Sequence, residues 1–359
     1  MQIKVKFLFN FMPIKMSMYN VKIYHFECPH LNQVYDGFAR LKKQGIIDLH
    51  IVPSEGSYFK GVLHTEINGK HVIYDTLDGL IWLDKPLEDN LNYFVQNIDC
   101  DFYFKRSYTK KLLPYVNNRF VYQPLGLNYG IDYIGNYPRP MIRKIKNWII
   151  ERPIVEKLQY KKIFRLEDLE YSPQPSREHK ILFLARLWNP EDVSWNKEWY
   201  EERPKMNEMR MGVVRELRNM FGDKFVGGIQ KDGYSEKVCP ELVVSDNMTR
   251  RDNFLREVRK SDICIATTGL FDSIGWKFAE YMAASRAIIS EPLRYELPGD
   301  CKVGKNYLTF TSIDECCSAV ERLVYDSGMM LKMMQDNRDY YLNYVRSDRM
   351  ILNTLKQIV

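Results

Sequence analysis

The sequence predicts an α/β protein of two domains, each built on a largely parallel sheet. Three observations predict it. Short apolar runs of strand length alternate with amphipathic helical stretches along most of the chain, the pattern of repeated βαβ units. The 359 residues suit two domains of ordinary size. A polar, proline-bearing stretch, SPQPSREH at 172–179, separates the two series of runs as a linker would. Residues 1–174 then form the first domain, 175–335 the second, and 336–359 a C-terminal helical segment.

The first domain opens with VKIYH (21–25), an apolar run of strand type. Residues 32–44 follow with Val34, Phe38 and Leu41 at helical spacing, and 46–52 return to strand character. This βαβ start implies a parallel sheet. Its first turn, HFECPHL, lacks the glycine fingerprint of a dinucleotide site. Runs 61–67 and 70–74 flank Asn68-Gly69, a strong hairpin dipeptide. Asp75 and Asp78 come straight after the second run. Ligands of open α/β sheets bind beyond the carboxyl ends of strands, so both are candidates for a cleft; a turn or helix cap is the alternative. Asp99-Cys100-Asp101 could hold a divalent cation, but it precedes the strand 102–104 and so stands at the wrong end for a ligand. Lys105 and Arg106 follow that strand and are candidates to line the same cleft; a solvated basic edge is the alternative. The run 121–126 reads as the last strand of this domain. Residues 142–157 read as a partly helical, basic and aromatic stretch, either a membrane-surface helix or an ordinary basic one.

The second domain begins with KILFLA (180–185), a buried-strand run with Arg186 at its carboxyl end. A charged insert occupies 189–205, and a helix is expected at 205–221. A strand-edge run at 225–228, a short apolar segment at 237–244, a helix at 250–260 and a strand at 262–266 follow. Then comes TTGLFDSIGWKFAEYMAASRAIIS (267–290): a small polar loop, a helix from Trp276 to about Ser285, and a strand. Gly304 to Leu308 reads as a turn before a short strand. Ser312 with Glu315 reads as a capping box opening a helix to about Tyr325, and helices fill 329–344 and 348–358.

Composition bounds the function. An apolar fraction of 45% is ample for packed cores. Seven cysteines show neither a C-x-x-C pair nor histidines at zinc spacing, so they read as reduced thiols of a cytoplasmic protein, with no metal site. A net charge of +6 fits an anionic ligand or a membrane surface and excludes the dense basic character of a nucleic-acid binder. No apolar stretch is long enough to span a bilayer. The opening MQIKVKFLFNFMPIKMSMYN imitates a signal peptide but is interrupted by Asn10 and Pro13. It reads either as an extra strand or as residues ahead of a start at Met16 or Met18.

The segment Asp272-Ser273-Ile274-Gly275-Trp276-Lys277-Phe278-Ala279-Glu280-Tyr281-Met282-Ala283 resembles the donor-site signature of group 1, family 4-like retaining glycosyltransferases of the GT-B fold: an acid, seven residues, then Glu, with Gly three after the first acid. The first acid is usually Glu and is Asp here. The resemblance covers about 180–326 and is weak in the first domain. It implies two Rossmann-like domains facing across a cleft, with the last helix crossing back to the first. It implies transfer of a sugar from a nucleotide-sugar co-substrate to a glycan or lipid-linked acceptor, with retention, without a metal or other cofactor, in polysaccharide biosynthesis, by a cytoplasmic or membrane-associated protein.

The residues then take roles. Glu280 accepts hydrogen bonds from ribose hydroxyls, and Asp272 orients the donor sugar. Arg186 and Arg210 neutralise the diphosphate, with Lys197 and Arg203 as rivals to Arg210. Helix N–H groups near Gly275 favour an anion, with Ser273, Lys277, Thr268 and Gly269 assisting. Asp75, Asp78, Lys105 and Arg106 stand on the acceptor side, and an inverting enzyme would draw its base from His25, His30, Asp75 or Asp78. A non-catalytic sugar-nucleotide or glycan-binding protein with a degenerate site is the alternative to either enzyme; Asp272 and the insert favour it.

Overall fold

The computed structural model describes residues 18–54, 61–138, 163–176, 178–194 and 196–358. Residues 1–17, read as an extra strand or as residues ahead of the start, and the basic stretch 142–157 lie outside the described residues.

The first unit is a six-stranded sheet of order β2-β1-β3-β4-β5-β6. Its strands are β1 (Tyr19–His25), β2 (Ile47–Pro53), β3 (Val62–Ile67), β4 (Lys70–Asp75), β5 (Phe102–Lys105) and β6 (Val121–Pro124). The βαβ start pairs β1 and β2 in parallel. The Asn68-Gly69 turn reverses β3, which runs antiparallel to both β1 and β4. The sheet is therefore mixed, where its opening unit predicts a parallel one. Both turn residues adopt positive φ, 51° and 79°, the conformation a two-residue hairpin loop requires.

Helix α1 (Asn32–Lys43) covers one face of this sheet and α2 (Leu87–Asn97) the other. The apolar spacing of α1 explains one buried stripe, but Gln33, Asp36 and Gly37 on its opposite side are buried too. The C-terminal helix lies over them. A Cβ on Gly37 would meet the Ser347 carbonyl oxygen at 2.4 Å, so glycine is what lets the two helices touch. Asp36 accepts a 2.6 Å hydrogen bond from the Ser347 hydroxyl across that contact.

The second unit is a five-stranded sheet, parallel throughout, of order β11-β10-β9-β7-β8. It contains β7 (Ile181–Ala185), β8 (Phe225–Ile229), β9 (Ile263–Ala266), β10 (Ala287–Ser290) and β11 (Leu308–Thr309). Every residue of β7, β9 and β10 is buried, as strands covered on both faces demand. Helices α3 (Lys197–Phe221) and α6 (Ile313–Tyr325) lie on one face, with α4 (Arg251–Lys260) and α5 (Trp276–Ala283) on the other. Helix α7 (Ser327–Tyr340) and α8 (Ser347–Leu355) complete the chain. Met350, Ile351 and Leu355 of α8 belong to the first unit's core.

The structure adds local detail at three places. The insert 189–205 is largely helical: α3 begins at Lys197, eight residues early, and carries Pro204 inside it. The apolar segment 237–244 is taken up by the end of a short helix, Gly233–Val238, and a tight turn, Pro240–Leu242. The linker is not loose. Ser176 bonds Asp262, and the buried Arg286 guanidinium donates to the Ser172 carbonyl.

Candidate functional site

The second sheet reverses its order of growth at β7: β8 lies on one side and β9 on the other. Such a switch point opens a crevice beyond the strand ends, where α/β proteins bind ligands. A cavity of about 220 Å³ lies there, lined by Leu184, Ala185, Gln230, Thr249, Arg251, Phe254, Trp276, Lys277 and Glu280. Leu184 and Ala185 end β7, Gln230 follows β8, Arg251 opens α4, and Trp276, Lys277 and Glu280 stand on α5. The spacing of the last three puts Lys277 and Glu280 on one face, since residues three apart on a helix are neighbours.

Glu280 is 2% exposed. Arg251 approaches it, with Nη2 2.8 Å from Oε1. The angles of that ion pair fall short of a hydrogen bond, so Oε1 is buried with its hydrogen-bonding capacity unspent. Lys277 is partly accessible from the cavity, but its ammonium is lodged against the Leu184 carbonyl, to which it donates. Burial, reinforced by Arg210 and Arg251, pulls its pKa down to about 8.

A second cavity, of about 390 Å³, lies at the seam between the units. It is lined by Pro29, Asn32, Gly130, Ile131, Asp132, Phe164, Arg251 and Trp276. Arg251 and Trp276 therefore wall both cavities. His30 meets the Trp276 ring edge-on, with centroids 5.0 Å apart, and burial holds its pKa below the ordinary histidine value.

The remaining expected residues fall elsewhere. Arg210 is buried and spends its guanidinium on the protein: Nε donates to Thr267 Oγ1 at 3.1 Å, Nη1 to the Arg186 carbonyl at 2.5 Å and Nη2 to the Thr268 carbonyl at 2.7 Å. It bolts the end of β7 to the loop after β9, and burial lowers its pKa to about 10. Arg186 is exposed, with its guanidinium 4.6 Å over the Trp188 ring, and lines neither cavity. Of the rivals, Lys197 is 89% exposed in its side chain, and Arg203 donates to the Asn189 carbonyl at 2.5 Å. Asp272 is exposed, at φ 56° after Phe271 at φ 59°, and lines neither cavity. Trp199, on the added turns of α3, supports this left-handed bend through ring contact with Phe271. Thr268 donates its N–H and hydroxyl to Glu291, and the Gly269 N–H bonds the buried Ser273. Gly275 caps α5 with ordinary negative φ, and a Cβ there would meet only the Thr267 carbonyl, at 3.7 Å.

The acceptor-side assignment is corrected for Asp75 and Lys105. Both side chains are wholly buried. Lys105 Nζ donates to Asp75 at 2.9 Å, and Trp82 Nε1 donates to the same carboxylate at 3.0 Å. A carboxylate so fully engaged has nothing left for a ligand. Arg106 is also buried; it pairs with Asp78 and donates across the seam to the Ile274 carbonyl, so it clamps the two units. Asp99-Cys100-Asp101 stands before β5, where Asp101 accepts from the His71 N–H. Among the described residues, no group of three or more His, Cys, Asp or Glu is placed to hold a metal ion. No helix among them is long and apolar enough to cross a membrane.

Sequence reasoning missed Arg251, Trp276, Gly130 and Gln230 as cavity residues. Gln230 carried a usable signal, a polar residue just past a parallel strand. Arg251 carried none beyond its place at the start of a helix.

No known family pattern matches this chain, and no curated protein does. Solved structures of similar shape exist. The C-terminal domain of a glycosyl transferase group 1 family protein from Francisella tularensis is 11% identical over 50% of this chain and 97% of that one, with a TM-score of 0.37. TarM of S. aureus, in a complex containing UDP, is 12% identical over 82% of this chain and 62% of that one, at 0.37. HepE of Anabaena, with UDP and glucose, is 11% identical over 89% of both chains, at 0.33.

Proposed function

We propose that this chain is a nucleotide-sugar-dependent glycosyltransferase of the GT-B kind, with its donor in the switch-point cavity. The observation that carries the reading is the convergence of Glu280, Lys277 and Arg251 around that cavity. A buried carboxylate with unspent accepting capacity suits a ribose diol, and two cations suit a diphosphate. The N-terminus of α5 adds N–H groups without intrahelical partners and a positive dipole end. Lys277 and Arg251 take the neutralising roles that the sequence pattern assigned to Arg186 and Arg210.

In this reading the bond from the anomeric carbon to the diphosphate breaks as the bond to an acceptor oxygen forms. The diphosphate leaves with the electron pair, and the acceptor proton passes to it. Protein cations stabilise the charge that develops, in place of a metal. The seam cavity takes the acceptor, a glycan or lipid-linked glycan: the aromatic faces of Phe164 and Trp276 suit sugar C–H faces, and Asn32 and Asp132 suit hydroxyls. Retention, a role in polysaccharide biosynthesis and a cytoplasmic, membrane-associated setting complete the proposal. They rest on the sequence resemblance alone.

The exposed Asp272, outside both cavities, favours a second reading, a non-catalytic binder of sugar nucleotides or glycans. A thermal-shift panel of UDP, GDP, ADP and CMP with their common sugars tests the first reading. A selective rise in Tm with one nucleotide supports it, because a ligand that binds only the folded state raises Tm by mass action. No rise with any of them counts against it. Turnover of the labelled sugar nucleotide then separates enzyme from binder, and linkage stereochemistry in the product separates retention from inversion.

A further inference from the structure

We propose that Arg251, besides meeting the diphosphate, couples the two cavities. It ties Glu280 to the 127–133 segment, and it gives up both contacts when a nucleoside diphosphate binds. The proposal rests on the donor reading above.

One nitrogen carries the coupling. Arg251 Nη2 lies 2.8 Å from Glu280 Oε1 and donates a 2.7 Å hydrogen bond to the Gly130 carbonyl. The Glu280 contact lies inside the second unit. Gly130 belongs to the stretch after β6 that runs along the seam. The two contacts share one hydrogen-bonding group, so a change at Glu280 is felt at Gly130. The wall is tight: a Cβ on Gly130 would meet the Trp276 ring at 2.6 Å. Gly130, Arg251 and Trp276 all line the seam cavity, and Arg251 and Trp276 line the switch-point cavity as well.

A ribose diol that bonds both oxygens of Glu280 takes the place of the guanidinium. The displaced cation has a better partner at hand. A guanidinium fork matches two phosphate oxygens, and its hold on Glu280 lacks hydrogen-bond geometry. Swinging to the diphosphate, Arg251 releases the Gly130 carbonyl and loosens the wall of the seam cavity. Donor binding thereby prepares the acceptor cavity, and the order of binding becomes donor first.

The test is amide hydrogen exchange on the full chain, with and without whichever of UDP, GDP, ADP or CMP raises the Tm of the wild type. The reporters are Tyr129, whose N–H bonds Gln33 Oε1, and Asp132, whose N–H bonds the Phe164 carbonyl. The nucleotide should speed their exchange about tenfold, the loss expected for one hydrogen bond to a charged group. Arg251→Ala should show the fast exchange without nucleotide and no further change with it. Arg251→Lys keeps the charge but not the fork and should fall between; it decides the matter if the alanine variant does not fold. A nucleotide that raises Tm yet leaves both amides unchanged, or slower, overturns the coupling while the donor reading stands. So does an alanine variant indistinguishable from wild type. If no nucleotide raises Tm, the donor reading falls and the proposal falls with it.

Discussion

The carboxyl edges of the two sheets began as equal candidates and reached opposite states. At the first, Asp75 ends β4 and Lys105 ends β5, side by side in register. Their charges meet each other, Trp82 and Tyr103 close over them, and both side chains are fully buried. At the second, β7 and β8 end at Ala185 and Ile229, and the charge that follows β7, Arg186, lies over the Trp188 ring and lines neither cavity. Charges come instead from α4 and α5, and they stand around a cavity. A charged residue at a strand end thus marks the edge but does not say whether it is open. The edge stays open where the charged side chains come from helices that stand around it rather than from neighbouring strand ends in register.

The largest effect expected from this contrast is at the closed edge. Lys105→Ala leaves Asp75 buried without its cation, and such breakage costs about 3–5 kcal/mol. Urea unfolding should show the midpoint falling accordingly. Replacing the pair together, Asp75→Asn with Lys105→Met, should recover much of the loss. A Lys105→Ala protein as stable as wild type would mean that water reaches this edge, and the contrast between the edges would dissolve.

Next comes the open edge, where the same kind of truncation should act on binding instead. Glu280→Ala removes an acceptor whose capacity is unspent and whose partner, Arg251, keeps 29% side-chain exposure. The fold should survive with little change in urea midpoint. Affinity for the selected nucleotide should fall about ten- to a hundredfold, since hydrogen bonds to a charged group contribute about 1.5–3 kcal/mol. Isothermal titration measures it. Unchanged affinity would remove Glu280 from the site.

These two edges also show what the sequence disclosed. Strand runs, helix spacing and the Asn68-Gly69 turn were legible because they follow local steric rules. The acid-x7-Glu helix was legible because its three-residue spacing sets Lys277 beside Glu280 whatever surrounds it. The fate of Asp75 was not, because the partner that closes on it, Lys105, is thirty residues away. Arg210 failed for the same reason: its three acceptors are groups of residues 186, 267 and 268, brought together only by the sheet. Arg251 stayed hidden because its importance lies in touching Glu280 and Gly130 at once.

The smallest effect is a pH dependence that separates the edges by sign of use. Lys105 and Lys277 are both depressed by burial, but Lys105 has Asp75 opposing that shift, and Lys277 faces a cavity at about 8. A diphosphate stabilises the ammonium form, so the bound pKa of Lys277 rises above 8. Affinity is then flat below pH 8 and falls up to about tenfold per unit between the free and bound values, in proportion to the proton taken up on binding. The same group acts on stability in the opposite direction. Its folded pKa lies below the unfolded 10.5, so the unfolded chain binds more protons between pH 8 and 10.5, and this term stabilises the fold as pH rises. Nucleotide affinity measured from pH 6.5 to 9.5, against Lys277→Met, isolates the effect. The variant should bind more weakly at low pH and lose the slope. If the slope persists in Lys277→Met, a group other than Lys277 titrates at the site, and Lys277 loses its place on the diphosphate.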